Sequence, residues 1–319
     1  MDVTEAELLD AIRRLLDEPA EGVVVGVGDD AAVVRGGSGD LVLTTDGLVQ
    51  DRHFELGSIA PRDLGAKAIT VNVSDVAAMA ASPRFAVSAL TLSDRVDAAW
   101  AMELFGGMRE ACDEYALRLV GGNLVKGREV AVIVTVTGEV SPGRAVTRAG
   151  ARPGDRVVVT GTLGGAAAGL RLGRRRGGWN GVELEAIRRH VRPTARVGEA
   201  AVLASHGASA MIDVSDGLGR DLGRLCDASG VGALLRPGDV PVDAVATLDE
   251  AIGGGEDYEL VATLPSTEAV AAASDELYET FGVSLTEIGS VVVGTGIGTE
   301  GSTTTAYDVA GRGWDQFRS

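Results

Sequence analysis

Residues Asp30–Gly47, DAAVVRGGSGDLVLTTDG, hold two short apolar runs separated by GGSGD. Small turn-forming residues between two apolar runs define a β-hairpin. The fold therefore opens with antiparallel pairing rather than with a strand–helix–strand crossover. The second run leads into TTDGLVQDRHF, Thr44–Phe54, which places two hydroxyls, two carboxylates, an arginine and a histidine where the strand ends.

Working outward, Pro61 opens a helical pattern reaching about Ala81, as suits proline at a first helical position. A strand (RFAVSALTL), a helix from about Val96 to Tyr115 and the apolar strand EVAVIVTVTGEV follow. SPGRAVTRAGARPGD carries the punctuation of a linker. Beyond it come strand RVVVTG, the small-residue helix LGGAAAGLRL, a helix near EAIRRHV, strand SAMIDV and a helix from about Leu218. Strand DYELVATLP, a helix over Ser266–Phe281 and strand LTEIGSVVV complete the series. RLGRRRGGWNG reads as a solvated loop. Strands and helices mix without a strict βαβ rhythm, so the expected class is α+β, in mixed α/β layers, rather than a doubly wound parallel sheet. A chain of 319 residues exceeds the size at which single cores stop growing. Two domains are expected, residues 1–142 and 143–319.

The formal net charge of −17 excludes a basic stripe for a nucleic-acid backbone. Nearly all the cations are arginine; Lys67 and Lys126 are the lysines. MDVTEAELLDAIRRLL is acidic and helically spaced, with Thr4 and Glu7 set for a capping box, and does not resemble a secretory signal. No apolar run approaches the roughly 18–20 residues of a membrane span. The expectation is a soluble, cytoplasmic protein with neither nucleic acid nor membrane as partner. Cys112 and Cys226 lie far apart in helical patterns without CxxC spacing, and read as buried reduced thiols.

TVNVSDVAAMA and MIDVSDGLGRD share a V-S-D core ending at Asp75 and Asp216. Other acids in small-residue settings are Asp29 and Asp30 (GVGDDAAVV), Asp46 (LTTDGLV), Asp213 (MIDVSDGL), and Glu256 and Asp257 (GGGEDYEL). Any one of them fits a helix cap or an Asx-turn. As a set they fit a shared cation, because carboxylates gathered in a desolvated cleft repel and each buried unpaired ion costs several kcal/mol. Mg²⁺ takes one or two carboxylates, keeps waters and completes its shell with phosphate oxygens. An acidic protein can thus bind a polyphosphate. Neither a Walker loop, a G-x-G-x-x-G turn, an H-R-D loop, an H-E-x-x-H helix nor a G-x-S-x-G elbow is present.

GVGDDAAVV, TTDGLVQDRHF, GAKAITVNVSDVAAMAASP, GRAVTRAGARPGD, IDVSDGLGRDL, GGEDYEL and GRGWDQF run in order over nearly the whole chain. Together they resemble the thiamine-monophosphate kinases, of the aminoimidazole ribonucleotide synthetase superfamily. TDGLVQDRHF and GGEDYEL are specific to the kinase branch.

The resemblance implies transfer of the ATP γ-phosphoryl group to thiamine monophosphate with several Mg²⁺ ions. It also implies a homodimer in which the amino-terminal sheets form a barrel beside the active cleft. By similarity Asp30, Thr44, Thr45, Asp46, Asp75 and Asp213 hold Mg²⁺, Asp216 serves a further ion, Ser215 contacts the nucleotide, and Gly122 lies beside a phosphate. Arg148 is the cationic contact to ATP; alone it reads equally as a solvated linker charge. His53 resembles the residue that meets the acceptor phosphate, and Glu256 and Trp314 complete the thiamine pocket. For Trp314 a surface anchor of the tail fits as well. His190 and His206 match nothing. Where many relatives carry an acid that binds metal, GGNLVKG has Asn123, a carbonyl ligand without charge. Two other readings stand beside the kinase. One is a sister synthetase of selenophosphate, hydrogenase-maturation or purine type, against which the absent amino-terminal Cys/Lys pair and carboxy-terminal Cys weigh. The other is a non-catalytic nucleotide or divalent-cation sensor.

Overall fold

The computed structural model describes residues 23–25, 29–36, 39–175, 177–299 and 313. The expected amino-terminal helix with Thr4 and Glu7, and Trp314, lie outside the described residues.

The opening hairpin is present: β2 (Ala32–Arg35) pairs antiparallel with β3 (Asp40–Val49), and β1 (Val23–Val25) flanks β2. β4 (Ser82–Leu92), β5 (Arg118–Lys126) and β6 (Ala131–Val140) complete a six-stranded sheet in the order β1-β2-β3-β6-β4-β5. All its pairs are antiparallel except β4–β5. Those two parallel strands are joined by α2 (Ala98–Glu114), whose N-cap Asp97 accepts the Trp100 N–H. Sequence reasoning missed β5. Gly122 is there because the strand runs tight against β4: a Cβ at this position would lie 2.0 Å from the Ser88 carbonyl oxygen.

α1 (Pro61–Ala78) and α2 cover one face of this sheet. They touch backbone to backbone at reciprocal glycines: a Cβ on Gly65 would meet the Leu104 carbonyl, and one on Gly107 the Arg62 carbonyl. Ile69, Val73, Leu104, Met108, Val132, Val134 and Val136 form the core beneath them. The opposite face carries Phe85, Val87, Val125 and Ile133, each 43–50% exposed.

The second sheet has the order β12-β9-β11-β7-β10-β8, with β7 (Arg156–Thr160), β8 (Ala210–Asp213), β9 (Gly232–Leu235), β10 (Leu260–Leu264), β11 (Leu285–Val292) and β12 (Gly296–Thr299). It is layered on both faces. Leu218, Leu222 and Leu225 of α6 (Leu218–Ser229) pack on one, and Leu203 of α5 (Val197–Ser205) with Leu277 of α8 (Thr267–Phe281) on the other. Ala77 and Ala78 of α1 join that second cluster, so one helix is shared by both halves of the molecule. This explains why α1 is buried on nearly every side, including Lys67, Thr70, Asn72 and Ser74. The α+β expectation holds. Missed along the way were α5, β9, β12 and the six-residue α7 (Leu248–Gly253), all short and rich in small residues. The arginine-rich loop is partly held down: Trp179 donates its indole N–H to the Leu172 carbonyl, and Asn180 caps α4 (Gly181–Val191).

Candidate functional site

The acids converge at the seam where α1 meets both sheets. Asp30 precedes β2, Asp75 lies near the end of α1 and Asp213 closes β8; each offers one carboxylate oxygen, and the three oxygens lie within 4.8 Å of one another. Their neighbours hold them in place. Thr44 donates its hydroxyl to Asp75 Oδ2 at 2.6 Å, Ser74 does the same for Asp213 Oδ2 at 2.6 Å, and Asp30 takes a two-pronged contact from Arg148 Nη2 and Nε at 2.7 and 3.0 Å. Asp29 completes the Arg148 anchor by accepting its backbone N–H at 3.0 Å.

Burial, then repulsion from Asp213 and Asp30, pushes the Asp75 carboxyl well above its usual range, and burial with Asp30 does the same to Asp213. For Arg148 burial favours losing the proton, but Asp30 and Asp29 outweigh it and keep the guanidinium charged. One fixed cation among four acids leaves an excess of negative charge in a partly dry place. Hard carboxylate and hydroxyl oxygens at this spacing suit a small oxygen-seeking dication such as Mg²⁺.

The alternation of β3 sorts the opening segment. Thr44 and Asp46 face α1 and the cluster, whereas the Thr45 hydroxyl turns to the opposite face, donating to the Val134 carbonyl at 3.0 Å and accepting from Thr135 at 3.0 Å. Asp46 opens onto the cleft, yet the bulk of protein around it still raises its carboxyl; the Gly47 N–H and His53 oppose that rise, and the Asp216 and Glu256 carboxylates add to it. His53 sits on a tight turn in which Asp51 takes a left-handed φ of 60°. Its Nδ1 accepts the Val49 N–H at 3.1 Å, which assigns the ring proton to Nε2 and leaves that edge as a donor.

A second group surrounds the V-S-D-G turn at 214–217. Asp221, fully buried, accepts three consecutive N–H groups through Oδ2, from Ser215, Asp216 and Gly217 at 3.1, 2.9 and 3.0 Å. Burial lifts Asp221 to about 7, against the pull of Arg224. Arg224 in turn reaches Asp216 Oδ2 at 2.7 Å and Asp221 Oδ1 at 2.9 Å.

The third group lies on the GGGEDYEL loop. Glu256 and Tyr258 hold left-handed φ values of 68° and 52°, a strain of roughly 1–3 kcal/mol each for residues with a side chain. Asp257 accepts the Gly164 and Ala166 N–H groups at the start of α3 (Gly165–Gly173) at 2.6 and 3.0 Å. Glu256 meets Lys67 Nζ at 2.7 Å and His190 Nδ1 at 3.1 Å, the latter a close contact off the hydrogen-bond axis. Burial alone would raise the Glu256 carboxyl; Lys67 and His190 outweigh it and hold it at about 2. The folded value lies below the ordinary 4.5, so the pairing stabilises the fold above that pH and the contribution is lost as pH falls toward 2.

The structure thus gathers Asp30, Thr44, Asp75, Arg148 and Asp213, with Asp46 and the Ser215–Asp216 turn beside them and His53 and Glu256 on the Asp46 side. It does not bring Gly122 and Asn123 there within one chain. Gly122 shares the cross-sheet row of Asp46 through Ser88 and Val134, three strand spacings or roughly 14 Å away, and Asn123 is its neighbour along the edge strand β5. Sequence reasoning missed Lys67, His190, Asp221 and Arg224. Lys67 had a signal: seven and eight residues before Ser74 and Asp75 on a helix is the same face. A cavity of about 720 Å³ lined in part by Arg144, Thr147 and Ser209 adjoins the linker but includes none of the three clustered acids.

Residues 28–140 match the model for AIR synthase related protein, N-terminal domain, and residues 152–301 that for AIR synthase related protein, C-terminal domain. Among curated proteins, the thiamine-monophosphate kinase of Aquifex aeolicus (strain VF5) is 35% identical over 99% of both chains. That of Mycobacterium tuberculosis (strain CDC 1551 / Oshkosh) is 40% identical over 81% of this chain and 80% of its own. A solved structure described as AaThiL complexed with AMPPCP and TMP superposes with a TM-score of 0.85 at 33% identity, covering 99% of each chain. Escherichia coli HypE, a hydrogenase maturation protein, shares the fold alone, at 17% identity and a TM-score of 0.70 over 98% of each chain. The fold and its acidic seam define an AIR synthase related protein. Within that class, the chain belongs to the thiamine-monophosphate kinase family.

Proposed function

We infer that this chain phosphorylates thiamine monophosphate to thiamine diphosphate with ATP as donor. The observation that carries the reading is the meeting of Asp30, Asp75 and Asp213 within 4.8 Å, in a chain similar along 99% of its length to a protein solved with AMPPCP and TMP.

Phosphoryl transfer needs positioning and compensation of negative charge, with little covalent work by the protein. Bound Mg²⁺ supplies that compensation between carboxylates and polyphosphate. Asp30, Asp75 and Asp213 are the ligands this reading assigns, with Thr44 and Asp46 at the edge toward the acceptor, Thr45 on the same strand, and Asp216 for a further ion. Arg148 is held charged beside Asp30 and is the guanidinium we assign to the ATP phosphates. The Asp221 clamp on the 215–217 turn fixes the backbone by which Ser215 would meet the nucleotide. On the acceptor side, the Nε2–H of His53 is free to donate to the acceptor phosphate, and Glu256, with Trp314, forms the thiamine pocket.

We further propose a homodimer closed through the exposed sheet face. Phe85, Val87, Val125 and Ile133 make an apolar surface of the kind monomers rarely leave open, and β5 is an unpaired edge. We assign to a second copy joined at this face the Gly122 and Asn123 that complete the cleft, so that the active site spans the interface. The domain division at residues 142–143 and a cytoplasmic setting belong to the same reading; among the described residues no helix is long and apolar enough to cross a membrane.

The test is ADP release coupled to product chromatography, with Mg·ATP and with or without thiamine monophosphate. ADP and thiamine diphosphate formed in equal amounts, and only with the acceptor present, is the expected result. ADP release with ammonia or glutamine and not with thiamine monophosphate, or no release, overturns the assignment.

A further inference from the structure

Lys67 is one of two lysines in the chain and its side chain is 3% exposed. It projects from α1 across the seam, where its ammonium donates to the His190 carbonyl at 2.9 Å and pairs with Glu256 at 2.7 Å. Burying an ammonium is costly unless it is paired, and an apolar residue in its place often serves stability as well. A compact charge placed there has another use. The Glu256 backbone is already held at an unfavourable φ of 68°, and the His190 ring closes on its second oxygen at 3.1 Å. Two elements from different parts of the fold, α1 and the end of α4, thus converge on one partly exposed carboxylate at the edge of the cleft.

We propose that Lys67 and His190 are positioning residues for acceptor recognition: the Lys67 ammonium paired with one oxygen of Glu256, and the His190 ring packed against the other, fix the direction in which that carboxylate accepts hydrogen bonds from the acceptor. This rests on the assignment of Glu256 to the thiamine pocket. Since Lys67 already balances the charge of Glu256, the carboxylate recognises N–H donors of the aminopyrimidine rather than the positive thiazolium. Lys67 shares its helix with Ser74 and Asp75, so acceptor pocket and metal cluster are set by one rigid element.

A double-mutant cycle on the full chain tests this, using Lys67→Met, Glu256→Gln and the double variant, with KM measured separately for thiamine monophosphate and for ATP. A carboxylate that loses its charge or its aim is expected to raise KM for thiamine monophosphate at least about ten-fold in each single variant. KM for ATP should stay within about two-fold, and the double variant should equal Glu256→Gln alone because the two act as a unit. Equal rises in both KM values for Lys67→Met, or an added rise in the double variant, overturn the proposal. Should Lys67→Met alone not fold, Glu256→Gln against the double variant still decides, since Glu256→Gln keeps the Lys67 bond to the His190 carbonyl and the double variant carries neither charge. An unchanged KM in Glu256→Gln overturns the acceptor assignment itself; a rise there with none in Lys67→Met overturns only the role of Lys67.

Discussion

Asp75→Asn is expected to lower kcat by about a thousand-fold or more while leaving the metal-free protein at least as stable as its parent. The activity loss follows from the place of Asp75 between Asp30 and Asp213, where a dication must be shared to offset the charge on a polyphosphate. Losing a few kcal/mol of such electrostatic compensation in the transition state corresponds to about that factor. The stability expectation comes from sign. The carboxyl is raised in the folded state, so ionising it opposes folding, and this penalty grows as pH rises through the ordinary carboxylate range toward the folded value. Asparagine removes the charge and keeps an oxygen to accept the Thr44 hydroxyl. Tm in chelator at neutral pH, with kcat in parallel, is the measurement; equal losses in both would mean that Asp75 is a structural residue.

Val87→Asp is expected to produce a folded monomer with activity reduced at least about a hundred-fold. Val87 lies on the exposed sheet face with Phe85 and Ile133, the face opposite Thr44 and Asp46, two strand spacings or roughly 10 Å from Thr45. A charge there meets apolar surface in a dimer but only water in a monomer, so the substitution strikes association and spares the fold. The activity loss follows from the proposed shared site, in which Gly122 and Asn123, roughly 14 Å across the sheet from Asp46 within one chain, are taken from the second copy. Sedimentation at enzymatic concentrations reads the first effect and the coupled assay the second. An active monomer would refute the shared site.

How far the sequence carried this account depended on range. The hairpin from Asp30 to Gly47 was legible because turn residues and apolar runs are neighbours in the chain. α1 was placed from Pro61, but its burial on almost all sides was not, because that requires two sheets that the sequence does not set side by side. β5 was missed because two glycines interrupt its run RLVGGNLVK, and the close pass by Ser88 that requires Gly122 is tertiary. The acids were found as types in small-residue settings, and their convergence had to be inferred from the cost of leaving them apart from a cation. His190 and Glu256 stand 66 positions apart with no spacing signal between them, and only the fold brings them to 3.1 Å. Thr44 and Thr45 were taken together, although strand alternation turns one hydroxyl to Asp75 and the other toward Val134 and Thr135.

Whether dications join this acidic seam to a triphosphate is read by anomalous scattering from crystals grown with Mn²⁺ and a non-hydrolysable ATP analogue. Metal peaks in contact with carboxylate oxygens of Asp30, Asp75 and Asp213 are expected, with nucleotide phosphate oxygens in the same coordination shells. A nucleotide bound in the cleft with no metal in contact with any of those three side chains would contradict such metal bridging.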